Sequence, residues 1–137
     1  MQNYWIGLEN IRLMFQDKQM LMSIELANSE SFTTDYIHGI FEFKMKDEIN
    51  RYKATFGQRI NGNFPTRSLL RHDGSDFSLN TRCTGYYKSG WWFNYCFHFC
   101  ATCETVTSYG HLYFADVEKW RTYKFMKLGI LAKSDYE

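Results

Sequence analysis

Alternation between apolar and polar side chains dominates the first half of the chain. Residues 20–26, 40–46 and 51–56 each place apolar side chains at every second position. Successive side chains of a β-strand point to opposite faces of its sheet, so this period of two predicts three half-buried strands. Consecutive strands joined by short polar segments pair most simply in antiparallel fashion. The pattern therefore predicts a small antiparallel sheet across residues 20–57.

Elsewhere the pattern predicts one helix, one more strand and long loops. Residues 8–15 place apolar side chains at roughly helical spacing, which predicts a short helix, and residues 124–133 alternate again, which predicts a closing strand. Residues 57–68 contain two glycines and the only proline and are predicted to be loop, and residues 71–83 are polar and rich in turn residues. The predicted fold class is α+β, with a small sheet and short helices followed by a loop-rich C-terminal half.

Composition bounds the class of protein. The 137 residues suit one domain, and the hydrophobic and charged fractions, 45% and 23%, are typical of a globular chain. A net charge of +1 creates no field that would attract nucleic acid, and no apolar run is long enough to cross a bilayer. The first ten residues lack the pattern of a signal peptide. We therefore expect no nucleic-acid partner, no membrane insertion, and a chain that is either cytosolic or part of a longer secreted protein.

Residues 83–100, called the aromatic strip below, combine Tyr, Trp and Phe with cysteine. All four cysteines fall within 21 residues: Cys83, Cys96, Cys100 and Cys103. Together with His98 they are soft ligands of the kind that zinc takes, and Cys100 and Cys103 have the spacing of a redox pair. Zinc sites usually combine two separated ligand pairs, however, and no helix is predicted after Cys100. The cysteines therefore favour disulfides in an oxidised, loop-rich domain over a metal or redox protein.

Residues for acid, base or nucleophilic chemistry are sparse. Asp73 and Asp76 lie in a polar turn with Gly74 between them. Paired carboxylates in a loop can ligate calcium, but an ordinary Asp-Gly turn explains the same residues. The four histidines are scattered, no serine has the context of a nucleophile elbow, and no glycine-rich phosphate loop is present. The sequence therefore predicts a protein that is not an enzyme.

The aromatic strip resembles the signature of the fibrinogen C-terminal globular domain, which ficolins, angiopoietins, tenascins and tachylectin-like lectins share. That signature has two cysteines with 12 residues between them and a Trp-Trp pair, as Cys83, Trp91, Trp92 and Cys96 have here. Further segments resemble the family in the same order: residues 4–15, 21–28, 49–57 and 118–128. The match begins inside the family domain. We therefore expect residues 1–137 to form such a domain without its N-terminal portion.

The resemblance implies an extracellular, secreted recognition module that binds a glycan, acetylated for some members, or a protein partner. A degenerate domain with only a structural or interaction role is the alternative, and a Cys/His metal or redox protein ranks third. The resemblance also implies a Cys83–Cys96 disulfide, which leaves Cys100 and Cys103 to each other or free. The C-terminal half is accordingly expected to be disulfide-linked.

A ligand pocket beside the second cysteine is implied by the same resemblance. Its residues in this chain are Tyr87, Tyr95, Cys96, His98 and Tyr113. Aromatic walls would hold the methyl group of an acetylated ligand, because ring faces offer large apolar surfaces. His98 would donate a hydrogen bond to the carbonyl of that ligand.

A calcium loop just before Cys83 is also implied. Its two side-chain ligand positions hold Ser75 and Phe77 in this chain, and the acids nearby are Asp73 and Asp76. Calcium held by these two acids is the one cofactor that the resemblance implies.

Overall fold

The computed structural model describes residues 6–78, 82–87, 89–94, 96–101, 111–116 and 119–136. For residues 86–87, 111–116 and 119–122 it describes the backbone alone. The elements in chain order are α1 (Leu8–Met14), β1 (Met20–Ala27), β2 (Ile37–Met45), β3 (Ala54–Gly62), α2 (Arg67–Leu70), α3 (Arg82–Tyr87), β4 (Phe99–Cys100), β5 (His111–Asp116), β6 (Lys119–Tyr123), β7 (Phe125–Ala132) and α4 (Lys133–Tyr136). Within these ranges, no helix is long and apolar enough to span a bilayer.

The described residues form two antiparallel sheets, and the larger has the strand order β3-β2-β1-β7, so β1 lies between β2 and β7. β1 pairs with β7 over eight consecutive residue pairs, from Met20↔Ala132 to Ala27↔Phe125. The predicted antiparallel sheet, its closing strand and the α+β class are confirmed. The predicted helix is present as α1.

Burial in this sheet follows the alternation of the sequence. Met22 and Ile24 of β1 and Phe43 of β2 are at most 2% exposed and belong to one continuous core. Ser23 and Glu25, which alternate with them, are half-buried on the opposite face. Burial of each large apolar side chain contributes about 2 kcal/mol to folding. The period of two thus sets which face of the sheet carries the core.

β3 begins at Ala54 and not at residue 51 as predicted, because Arg51 and Tyr52 lie in the turn before it, and residues 57–62 continue the strand to Gly62. The prediction of residues 57–62 as loop was wrong, because the glycines lie within an edge strand and do not end it. Gly57 lies where the register between β2 and β3 shifts, and a Cβ at this position would stand 2.9 Å from the Cβ of Glu42. Glycine avoids this clash because it has no Cβ, and glycine is common at β-bulges for that reason.

The turn between β2 and β3 is fastened to the loop-rich half. Its residues Arg51 and Tyr52 have φ values of 56° and 51°. Such values cost non-glycine residues about 1 kcal/mol each, so surrounding contacts have to hold them. The Arg51 carbonyl accepts a hydrogen bond from the N–H of Phe77 at 2.9 Å, and the Tyr52 carbonyl accepts one from the indole N–H of Trp92 at 2.8 Å.

The smaller sheet has the strand order β4-β5-β6. β4 is the last part of the aromatic strip, and its Phe99 pairs with Tyr113 of β5. This pairing connects the strip to residues 111–123.

Candidate functional site

A disulfide closes the first part of the aromatic strip. Cys83, in α3, is bonded to Cys96 with a Cα–Cα distance of 5.3 Å. Cys100 is also disulfide-bonded, and Cys103 lies outside the described residues. Cysteine binds zinc only as a free thiolate, so disulfide-bonded cysteines do not fit the zinc alternative. In the part of the chain that the structure describes, no three His, Cys, Asp or Glu residues are grouped so that they could hold a metal ion.

Two tryptophans of the strip form its buried core. Trp91 and Trp92 are 0% and 1% exposed, and their ring centroids lie 5.0 Å apart in an edge-to-face arrangement. Trp92 also packs edge-on against Phe43, Phe56 and Phe77, with centroid distances between 5.1 and 5.9 Å. Edge-to-face contacts stabilise ring pairs by about 1 kcal/mol beyond the burial of area. Trp92 therefore joins the loop-rich half to the sheet.

His72 is fully buried beneath the strip and uses both ring nitrogens. Nδ1 lies 2.7 Å from the carbonyl oxygen of Trp92, and Nε2 lies 3.2 Å from the backbone nitrogens of His98 and Phe99. A carbonyl only accepts and an N–H only donates, so the neutral ring carries its proton on Nδ1. Burial lowers the pKa of His72 to about 4, which keeps the ring neutral near pH 7. The ring holds the two ends of residues 92–99 together.

Asp73 and Asp76, the expected calcium ligands, already have partners within the protein. Oδ1 of Asp73 accepts a hydrogen bond from the N–H of Phe56 at 2.9 Å. The Asp76 carboxylate lies 3.7 Å from the guanidinium of Arg51 and 3.8 Å from the ammonium of Lys53. Calcium takes six to eight oxygen ligands, and two neighbouring cations repel it. These residues, as they are placed, do not fit a calcium ion.

His98, the expected hydrogen-bond donor of the pocket, faces α2. Its Nε2 lies 3.1 Å from Nη1 of Arg71 and accepts a hydrogen bond from it, and the ring also hydrogen-bonds the backbone of Arg67. Burial, and then the positive charge of Arg71, lowers the pKa of His98. These contacts occupy the ring, so the expected donation to a ligand carbonyl finds no support in the placement of His98.

Of the other predicted pocket residues, the structure describes Cys96 in full and the backbones of Tyr87 and Tyr113. Cys96 is half-buried and lies in the disulfide. Tyr87 is the last residue of α3, whose Cys83 is the partner of Cys96, and Tyr113 is paired with Phe99. The side chains of Tyr87 and Tyr113, and the whole of Tyr95, lie outside the described residues. The pocket itself therefore stays a prediction.

A comparison with known families identifies one family model. The model for the C-terminal globular domain of fibrinogen beta and gamma chains matches residues 1–133. This match covers nearly the whole chain, including the strip and both sheets.

Several curated proteins are similar over much of the chain. Ryncolin-4 from Cerberus rynchops is 28% identical over 101 residues, which are 68% of this chain and 28% of that protein. Human angiopoietin-related protein 2 is 30% identical over 103 residues, which are 68% of this chain and 20% of that protein. Techylectin-5A from Tachypleus tridentatus is 24% identical over 136 residues, which are 90% of this chain and 43% of that protein. The chain thus spans less than half the length of these three relatives.

Solved structures show the same fold. The fibrinogen-like globe domain of human ANGPTL2 superposes with a TM-score of 0.76 at 20% identity, covering 94% of this chain and 65% of that one. The corresponding domain of human ANGPTL6 gives a TM-score of 0.69 at 19% identity, covering 93% of this chain and 63% of that one. Together with the disulfide, the buried Trp-Trp pair and the strand order of the sheet, these matches lead to one conclusion. The chain belongs to the family of the fibrinogen C-terminal globular domain.

Proposed function

We propose that the chain is a non-enzymatic, extracellular recognition module that binds an N-acetylated glycan through the aromatic strip. Membership of the fibrinogen C-terminal domain family supports recognition rather than catalysis. The similarity to Techylectin-5A, a lectin by its name, supports a carbohydrate ligand. The disulfides support an extracellular location, because the cytosol keeps most thiols reduced.

The observation that carries the proposal is that a disulfide and a buried histidine both constrain the backbone of the strip. The Cys83–Cys96 disulfide holds one part of its backbone, and the ring of His72 holds the carbonyl of Trp92 and the N–H groups at the start of β4. A binding surface that is already ordered loses little conformational entropy when a ligand arrives. Such an arrangement suits a small, weakly held group such as an acetyl methyl.

The three predicted tyrosines lie next to these constrained positions, either along the chain or by strand pairing. Tyr87 ends α3, Tyr95 directly precedes Cys96, and Tyr113 is paired with Phe99. Tyrosine offers an apolar ring face together with a hydroxyl, which suits a ligand that carries both a methyl and polar groups. His98 and calcium have no role in the proposed site, because His98 is hydrogen-bonded to α2 and the two acids do not fit the ion.

Binding of N-acetylglucosamine, measured by calorimetry against glucosamine, tests the proposal. We expect binding of the acetylated sugar alone, and Tyr87→Ala should weaken it at least about tenfold, as loss of a buried aromatic contact does. His98→Ala should leave the affinity unchanged. Tyr36→Ala is the matched control, because Tyr36 hydrogen-bonds Glu25 on β1, away from the strip.

The competing function is a degenerate domain with only a structural or interaction role. Two observations favour it. The calcium-ligand positions lack acidic side chains, and Asp73 and Asp76 are already bound to other groups of the same chain. A folded chain that binds neither sugar would contradict the glycan proposal and support this alternative. Binding of both sugars with equal affinity, unaffected by Tyr87→Ala, would place recognition outside the predicted pocket.

A further inference from the structure

Residues 73–78, called the acidic turn below, are fastened to the start of β3 by backbone hydrogen bonds. The carbonyl of Ala54 accepts a hydrogen bond from the N–H of Gly74 at 2.8 Å, and the N–H of Ala54 donates one to the carbonyl of Ser75 at 3.1 Å. Ala54 belongs to the buried core. The first half of the acidic turn is therefore held by a fixed part of the sheet.

Phe77 anchors the second half of the acidic turn. The family resemblance assigns position 77 to a side chain that binds calcium, but calcium takes oxygen ligands and a phenyl ring has none. Instead the ring packs edge-on against Trp92 at a centroid distance of 5.1 Å and contacts the continuous core. The N–H of Phe77 donates to the carbonyl of Arg51 at 2.9 Å. An apolar contact and a backbone bond thus hold the chain where the family uses an ion.

The protein also supplies positive charge to the acidic turn. The Asp76 carboxylate lies 3.7 Å from the guanidinium of Arg51 and 3.8 Å from the ammonium of Lys53, one cation at each of its two oxygens. Each exposed pair is weak by itself, but both act on the same carboxylate. The negative charge of Asp76 is therefore compensated without a metal ion.

We propose that the acidic turn is a metal-free counterpart of the calcium loop, in which Phe77, Arg51 and Lys53 do together what the ion does in the family. The order of the turn is then independent of calcium. The N–H of Ser78 donates to the carbonyl of Trp91 at 2.9 Å, so the aromatic strip is attached to this turn. The backbone of the strip accordingly keeps its arrangement whether calcium is present or removed.

Hydrogen exchange of the Phe77 and Ser78 amides, followed by NMR in millimolar calcium and in chelator, tests the proposal on the full chain. We expect the wild-type rates to be equal in both solutions. Combined Arg51→Gln and Lys53→Gln changes should speed exchange about threefold, as loss of two exposed ion pairs does. Phe77→Ser should speed it at least about tenfold, because the ring loses its contact with the core.

Combined Lys18→Gln and Lys124→Gln changes are the matched control, because they remove the same charge. Both lysines are exposed and form no ion pair with the residues that the structure describes. The control should exchange like the wild type.

Two results would overturn the proposal. Wild-type amides that exchange more slowly with calcium would show that the turn still uses the ion. Rates in the variant lacking Arg51 and Lys53 that match those of the control would show that the two cations do not hold the turn, and this variant retains the buried core should Phe77→Ser fail to fold. The readout needs no sugar, so either result is distinct from a failure of glycan binding.

Discussion

The larger sheet and the aromatic strip bury their side chains equally well by different means. In the sheet, Leu26 is covered because the register of the ladder places Ile37 on one side of it and Met126 on the other. In the strip, Trp91 and Phe99 are just as buried, but a disulfide, the ring of His72 and edge-on ring contacts hold them. A core built by pairing is specified by local alternation, whereas a core built by cross-links depends on contacts between distant residues.

This difference between the sheet and the strip has an energetic consequence. The sheet distributes its stability over many similar contacts, and the strip concentrates it in a few groups. Single changes in the strip should therefore cost more than conservative changes in the sheet. The following experiments test that difference, from the largest expected effect to the smallest.

Trp92→Ala should have the largest effect, a loss of about 4 kcal/mol in the free energy of unfolding, because it leaves a cavity among Trp91, Phe43, Phe56 and Phe77. Urea denaturation followed by circular dichroism measures it. A loss below about 1 kcal/mol would contradict the joining role of this ring.

Substitution by phenylalanine provides a matched pair of controls. Trp92→Phe removes the hydrogen bond to the Tyr52 carbonyl, whereas Nε1 of Trp91 has no hydrogen-bond partner among the described residues. We therefore expect Trp92→Phe to cost about 1–2 kcal/mol more than Trp91→Phe.

Removal of the Cys83–Cys96 disulfide by a double change to alanine should cost about 3 kcal/mol, because the unfolded chain gains the freedom of a loop that spans 13 positions. Denaturant unfolding measures the loss. Hydrogen exchange shows where it acts: amides of the strip should exchange faster while those of β1 keep their protection. Equal loss of protection in both regions would show that the sheet depends on the cross-link as much as the strip does.

Acid should weaken the strip through His72. The pKa of His72 is lowered from 6.5 to about 4 in the folded protein, so between these values the unfolded chain binds the extra proton and stability rises with pH. The contribution is fully present above about pH 6.5 and falls by about 3 kcal/mol as the pH is lowered to about 4. Unfolding measured across this range checks it. His72→Gln should be less stable near pH 7 and should lack this part of the pH dependence; an unchanged dependence would mean that another group causes it.

Ile24→Val represents the sheet in this comparison. It removes one buried methylene among similar neighbours and should cost about 1 kcal/mol. The same urea denaturation measures the loss. A cost as large as that of Trp92→Ala would remove the distinction between the two regions.

Calcium should have the smallest effect. Asp73 is hydrogen-bonded to the backbone and Asp76 faces Arg51 and Lys53, so we expect the melting temperature to be the same in millimolar calcium and in chelator. A rise with calcium that Asp73→Ala abolishes would show that the turn rearranges to bind the ion.

The sheet could be predicted because the alternation of apolar and polar residues that specifies each strand lies within that strand. The alternation in residues 20–26 and 124–133 predicts β1 and β7, since each strand needs only one apolar face. The strand at residues 57–62 could not be predicted from the local sequence, because the bulge at Gly57 depends on its close approach to Glu42 of another strand.

The strip could be predicted only through its family resemblance. Spacing alone left the cysteines open to disulfides or metal, and the resemblance implied the Cys83–Cys96 bond that the structure contains. No local signal marked His72, whose partners lie 20 to 27 residues further along the chain. The contact of His98 with Arg71 is equally distant in sequence, so its orientation toward α2 could not be predicted from neighbouring residues.

The pairing of β1 with β7 sets the order in which the protein can be made. During synthesis β1 leaves the ribosome before β7, which pairs with it at Met20↔Ala132 and emerges more than 100 residues later. Until then one side of β1 has no partner, and contacts this distant in sequence form slowly. The Cys83–Cys96 bond needs only a short stretch of nascent chain and can close before the sheet does. Oxidation of the strip can therefore precede completion of the sheet in the cell.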